Sequence, residues 1–462
     1  MAELAQTPGY PVAKRMSAKY EGTFAYVTLK ERMPKVLTQV IDTIHREEKS
    51  IYSQFGEDGT DDVKRVLSQL SELRYQLQTN KPMSSIESGE DVKEWKAAFD
   101  SIRKCKRLQG SQPSWYSVSW LFAECFMYRK IADILKSRQL VLSTFCSKYL
   151  KDYDPFGAQK EQSFAMCLDD IAAVGKYLNS MLSVPSTDRS PAHLRVEFEH
   201  LLLLTLWGNK MDLSMISTVA NYDTGRSMFS VEGGSIQSQL LKTNILADHS
   251  AALWELLQLI SKPRPGSRRI DFVLDNCGFE IFVDLCLAEW LLSIGFADQI
   301  QFHFKQLPWF VSDALVKDLH WTLDALAASG NDNLVQLACK WKDRVRDKSF
   351  VAVDHPFWTT SYEYAAMKAV APDLYQLLSE SYLVLFKGDL NYRKLLADRN
   401  WLYTESFSMA LGGFEPTNIC ALRTLKADLV TGLTPGVADK AASESKDWMI
   451  TGQYAVLQVH KS

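Results

Sequence analysis

Four short segments carry side chains that could handle a divalent cation and a phosphate. Asp275 and Asn276 follow the apolar run IDFVL. Asp313 closes the segment PWFVSD. Lys387-Gly388-Asp389 follows YLVLF, and RTLKAD (423–428) follows the apolar residues 419–422. Asp275, Asn276 and Asp313 offer only oxygen donors, a set that suits Mg²⁺ or Mn²⁺ and leaves positions for water and substrate. Lys387, Arg393, Lys394, Arg423 and Lys426 offer charge to neutralise phosphate oxygens. A metal so held polarises phosphorus, orients a water and lowers its pKa. Helix N-termini behind the strands would add N–H donors. Asp and Asn also cap helices after strands as a matter of routine. The coincidence at four strand ends is what favours a site.

The elements that must position these residues alternate between strand and helix. Residues 270–274 read as a strand followed by a helix over 279–294. Ile300, Phe302 and Phe304 alternate as a second strand, with a helix over 314–328. Residues 382–386 form a third strand with a helix from Tyr392 onward, 419–422 a fourth, and 454–459 an edge strand. This pattern implies right-handed crossovers and a mostly parallel sheet, whose ligands bind outside the carboxyl ends of the strands. The first half reads as helices. Val36, Leu37, Val40, Ile41 and Ile44 share one face of a helix begun by Pro34, and Val63, Val66, Leu67, Leu70, Leu73 and Leu77 repeat the stripe. Further helices are expected over 120–135, 166–182, 194–207 and 251–260. The expected organisation is an α/β protein: a flexible tail over 1–23, a helical domain over 24–265, and a doubly wound α/β/α sandwich over 266–462. The Ser/Gly-rich stretch 219–242 and the break at 261–269 read as loops.

Composition narrows the classes further. The chain has 462 residues, 46% hydrophobic and 11% aromatic, too apolar for a mostly disordered protein. Its net charge of −3 gives no footprint for nucleic acid and no pull toward an anionic membrane. The eight cysteines form no C-x-x-C pair and sit mostly in apolar stretches, as buried thiols of a reducing compartment do. Cys277, beside the proposed metal, has no base nearby in sequence to make it a nucleophile. The N-terminus lacks an apolar leader, and the densest apolar run, 201–207, is far short of the roughly 20 residues that span a bilayer. A soluble intracellular protein is expected, cytoplasmic with the nucleus as a second location.

VLDNCGFE (273–280), PWFVSD, FKGDLNYRK (386–394) and RTLKAD, in this order, resemble the damage-control phosphatase family. The R-T-x-K form points to its subfamily III, the sugar-phosphate members, also called acidic residue methyltransferase 1 in vertebrates. WGNKMDLS (207–214) resembles the family's Gly-Asn-x-x-Asp element, and the likeness runs from about residue 24 to 454. The resemblance implies a helical region plus an α/β/α sandwich. It implies Asp275, Asn276 and Asp313 as ligands of Mn²⁺, Co²⁺, Ni²⁺ or Mg²⁺, with Asp275 and Asp313 at the reacting centre. It places Asp389, Leu390, Asn391, Tyr392, Arg393 and Lys426 on the substrate, joined by Glu280, by Arg423 and by Asn209 and Asp212 from the helical half. Fructose 1-phosphate and fructose 6-phosphate are the implied substrates. A metal-oriented water or an attacking Asp275 or Asp313 carboxylate both remain open as nucleophile. The resemblance also carries an alternative, S-adenosylmethionine-dependent methylation of protein glutamate, with the replication clamp as a protein substrate. The first turn, DNCGFE, has one glycine and not the G-x-G-x-x-G of a Rossmann cofactor site, though Glu280 and Asp313 could contact polar groups of such a cofactor.

Overall fold

The computed structural model describes residues 13–104, 112–136, 150, 153–185, 188–211, 242–260 and 268–462. Seven strands form one sheet: β1 (Ile245–Asp248), β2 (Arg269–Val273), β3 (Gln299–Phe304), β4 (Phe350–Asp354), β5 (Leu383–Lys387), β6 (Asn418–Thr424) and β7 (Ala455–His460). Their order is β1-β7-β6-β5-β2-β3-β4. β6, β5, β2, β3 and β4 run parallel. β7 is antiparallel to β6 and parallel to β1. The mostly parallel sheet expected from sequence is therefore present. β7 is not an edge strand, however. β1, just after the stretch 219–242 read as loop and not itself expected as a strand, covers its outer side, and β4 is an additional strand at the far edge.

The strands are buried on both faces, as parallel strands are. Along β2 and β5, alternate residues go to opposite cores: Ile270, Phe272, Leu383 and Leu385 to one, Val273, Val384 and Phe386 to the other. The helices before residue 157 pack on the second face, and those over 157–207, 250–260 and 279–346 on the first. The result is an α/β/α sandwich in which the helical half contributes to both outer layers, the helices before residue 157 to one and those over 157–207 and 250–260 to the other.

Five helices bear on the site: α1 (Met33–Gln78), α2 (Trp120–Lys136), α3 (Pro191–Trp207), α4 (Phe279–Ile294) and α5 (Gly388–Leu395). α1 carries Pro34 in its first turn and breaks at Gly56, which separates the two stripes seen in sequence. α2 is buried almost all round, so its charges must be paired. Arg129 meets Asp91 at 2.6 Å and Glu124 meets Arg393 at 2.6 Å. α4 spans the residues expected of it. α5 begins at Gly388, four residues before the expected helix.

Residues 13–23, read as part of a flexible tail, are built into the fold instead. The Ala13 N–H donates to the Asn400 carbonyl at 2.6 Å, the Met16 N–H to that of Asp398 at 2.9 Å, and Met16 and Ala18 are fully buried. Most of the loops expected over 219–242 and 261–269 lie outside the described residues. Among the described residues no helix is long and apolar enough to cross a membrane, and the six described cysteines are free thiols.

Candidate active site

The chain runs from β2 to β3 and β4 at one edge, then returns to β5 on the other side of β2. That reversal opens a crevice at the carboxyl ends of β2 and β5, where doubly wound sheets bind ligands. Asp275 and Asn276 leave β2 there. The segment after β3 folds back to meet them: the Ala314 N–H donates to the Asp275 carbonyl at 2.8 Å and the Cys277 N–H to that of Ser312 at 2.9 Å. Asn276 and Asp313 pair as an isolated antiparallel bridge. Phe310 and Val311 make the reversal with φ of +42° and +72°, a conformation that costs non-glycine residues about 1–3 kcal/mol and persists where the surroundings impose it. Tyr128 of α2 stacks on Phe310, with ring centroids 4.7 Å apart.

The cleft is narrow, about 60 Å³. Asp275, Asn276, Asp313, Asp389, Leu390, Arg393 and Lys426 line it, all named from sequence. Arg32, Trp120, Glu124 and Phe310 complete the wall. Asn209, at the end of α3, stands behind Asp275. Its amide donates to Asp275 Oδ2 at 2.5 Å and to Glu280 Oε2 at 2.7 Å, and its Oδ1 accepts from Thr424 Oγ1 at 2.8 Å. Asn276 Nδ2 donates to the same two carboxylates at 3.0 and 2.8 Å. Lys387 closes the chain, 2.8 Å from both Glu280 and Asp284. Lys305 supports Asp313 at 3.3 Å.

Several sequence-named residues serve this scaffold and do not line the cleft. Glu280 has both oxygens committed to Asn209, Asn276 and Lys387. The Asn391 amide donates to the carbonyls of Val273, Leu274 and Lys387 at 3.2, 3.2 and 2.6 Å, which ties the end of β2 to β5. Tyr392 donates to Gln458 at 2.7 Å and lies under the Arg423 guanidinium. Arg423 in turn reaches Asp389 at 2.7 Å, and Asp389 Oδ1 also accepts the Lys426 N–H at 3.2 Å. Lys387 and Lys394, offered from sequence as phosphate-neutralising charges, are buried behind the site. Asp212 lies outside the described residues. Cys277 Sγ donates to the Ser312 carbonyl at 2.9 Å and burial pushes its thiol well up, so it is held as a thiol.

The Arg393 guanidinium lies 3.7 Å over the Trp120 ring and pairs with Glu124 and Asp398 at 2.6 and 2.8 Å. Burial works against its charge, and Asp398 and Glu124 overcome that, so Arg393 stays firmly protonated. Burial raises the Glu124 carboxyl, and Arg393 offsets only part of the rise. Glu124 was not singled out in the sequence. A lone acid within the apolar run WLFAECFMY was the available signal.

Lys394 shows what a buried charge costs where no carboxylate meets it. It donates to the Trp358 carbonyl at 3.1 Å, and burial, aided by Lys305, pushes its ammonium down to about 8 from 10.5. The unfolded chain then binds more protons than the folded one between those pH values, so stability rises with pH across that window. Lys394→Met is expected to gain on the wild type below pH 8, with the gap narrowing as pH climbs toward 10. Denaturant midpoints from pH 7 to 10 measure this; a gap independent of pH would contradict it.

A hard divalent cation fits the donor set. Two carboxylates and an amide line one cleft, with Asn276 Oδ1 accepting from Ser312 Oγ at 2.6 Å; among the described residues no three His, Cys, Asp or Glu side chains are grouped to hold a metal by themselves. A metal bound there would keep positions open for water and substrate.

The chain is similar to known proteins along nearly its whole length. The family model described as the damage-control phosphatase ARMT1-like domain matches residues 28–441. Curated relatives named damage-control phosphatase ARMT1 are similar over nearly their full lengths. The Danio rerio protein is 38% identical over 447 residues, 96% of each chain. The Rattus norvegicus protein is 38% identical over 458 residues, 98% of this chain and 99% of its own. The Homo sapiens protein is 36% identical over 450 residues, 97% and 98% respectively.

Proposed function

We propose that this chain, which belongs to the damage-control phosphatase ARMT1-like family, is a metal-dependent hydrolase of reactive sugar phosphates such as fructose 1-phosphate and fructose 6-phosphate. Membership makes it a phosphatase of metabolite repair; the metal and the sugar are the finer reading. One observation carries that reading: Asp275, Asn276 and Asp313 share a small cleft with Arg393 and Lys426.

Asp275, Asn276 and Asp313 would hold Mn²⁺, Co²⁺, Ni²⁺ or Mg²⁺. Such an ion, when bound, polarises the phosphate and lowers the pKa of a water. The remaining tasks belong to the chain. Lys426 is anchored by its ammonium on the Asn209 carbonyl and by its backbone N–H on Asp389. Arg393 is fixed by Glu124, Asp398 and Trp120. Both cations are thus set in place before substrate enters and can offset charge that grows on the phosphoryl oxygens. Water attacks phosphorus, the ester P–O bond breaks, and the sugar oxygen takes up a proton. The products are inorganic phosphate and free sugar.

The test is phosphate release from fructose 1-phosphate by the purified full chain with Mn²⁺. Turnover abolished by a chelator and restored by Mn²⁺ is expected. Turnover indifferent to chelation would overturn the metal dependence. Silence across a panel of sugar phosphates, alongside turnover of other phosphate esters, would overturn the substrate class.

A further inference from the structure

Much of the wall beside the proposed metal ligands comes from the N-terminal helices, and in the chemistry so far it serves only to fix Arg393. Arg32 ends a single π-helical turn, Thr28–Arg32, that runs directly into α1. Such turns are rare and cluster at functional sites. Arg32 lines the cleft and its field acts on Glu124. Glu124, from α2, also lines the cleft. Among the described residues its hydrogen bond is to Arg393, through Oε2 at 2.6 Å, which leaves Oε1 to accept from a ligand. Trp120 and Phe310 complete this side with aromatic surface.

We infer that Glu124 and Arg32 are specificity-determining residues that read the hydroxyl-bearing carbon chain of the substrate. The inference rests on the sugar-phosphate reading and deepens it. With the phosphate held by Arg393, Lys426 and a cation on Asp275 and Asp313, the rest of a small ester lies toward α2. A carboxylate oxygen there accepts from a sugar hydroxyl, and a guanidinium beside it donates to a hydroxyl or carbonyl oxygen. The Arg393 bond fixes Glu124 in orientation, so little rotamer freedom is lost on binding. A site built to hydrogen-bond hydroxyls rejects an analogue that lacks them, because its buried polar groups are then left unsatisfied.

The experiment compares two ligands by calorimetry in the presence of Mn²⁺: fructose 1-phosphate, and phenyl phosphate, which has the phosphate without the hydroxyls. Three proteins are compared: the wild-type full chain, Glu124→Gln and Arg32→Gln. The ratio of the two affinities is expected to fall about ten-fold or more in each variant, the worth of a hydrogen bond to a charged group. Arg32 is half-buried at the cleft mouth, so its variant keeps the test open if Glu124→Gln folds poorly; melting temperatures report that separately. Equal losses for both ligands would mean the wall is structural and would overturn the inference. So would a wild type that binds phenyl phosphate as tightly as the sugar ester. A wild type that binds with the expected ratio but releases no phosphate would overturn the hydrolase reading and leave the wall standing.

Discussion

Asp275→Asn and Asp313→Asn are each expected to lose Mn²⁺ binding and metal-dependent phosphate release. The fall in kcat/KM should exceed about 100-fold, since residues that merely support metal ligands are already worth about 10–100-fold. Asparagine is the right probe because alanine would confound the result. Asp275 Oδ2 accepts from both Asn209 and Asn276, and Asp313 lies against buried Lys305. Deleting either carboxylate outright strands buried donors, and a buried charge that loses its partner costs about 3–5 kcal/mol. The amide keeps shape and an acceptor oxygen while removing the charge a divalent ion needs. Calorimetric Mn²⁺ titration and a thermal melt of the same samples separate lost ligation from lost folding. Full metal-dependent turnover in either variant would remove that residue from the ligand set.

What the sequence made legible follows from where residues sit. β2, β5 and β6 are buried on both faces and read as short, mostly apolar runs, and β3 reads as an alternation because its other face carries the buried polar Gln301 and His303. β4 lies at the sheet edge with Val351, Ala352 and Val353 only half-buried, and its run FVAVD follows charged residues closely, so it carries a weaker apolar signal than the central strands. Ligand candidates were legible because each stands where a strand ends. The lysines were misplaced because residue type says nothing about direction. Lys387 is the last residue of β5 and shares the face of Leu385 by the period of two, so it points to α4 and its acids. Lys394 follows Arg393 on α5, about a quarter turn on, so one reaches the cleft and the other the Trp358 carbonyl. The α2 wall was invisible for a different reason. Glu124 and Arg393 are 269 positions apart, and a helix buried all round looks like core from any of its residues.

Gly388→Ala is expected to damage the same centre as loss of Asp275, by steric means. Gly388 has φ of +83°, and a Cβ there would lie 1.8 Å from Asp275 Oδ2 and 2.2 Å from its Cγ. The conformational part is modest, of the order of 1 kcal/mol for a side chain in the left-handed region. The contact part is larger, because the atoms met are not the end of a flexible chain. Asp275 is short, buried and pinned by Asn209, Asn276 and the Ala314 N–H. Either the first turn of α5 must shift, carrying Asp389 and Arg393 with it, or the carboxylate must leave its place. Overpacking of this kind costs about 1–3 kcal/mol more, and either route misplaces the proposed metal ligand. Gly295→Ala supplies the control. Its φ is +82°, nearly the same, but nothing lies within 4 Å of the added Cβ, so it carries the conformational cost alone. Unfolding midpoints of the two variants should differ by the contact term, and only Gly388→Ala should lose Mn²⁺ affinity and turnover. If Gly388→Ala loses no more stability than Gly295→Ala and keeps wild-type metal binding, then the close approach of α5 does not position Asp275, and the cleft must owe its shape to the loop after β3 instead.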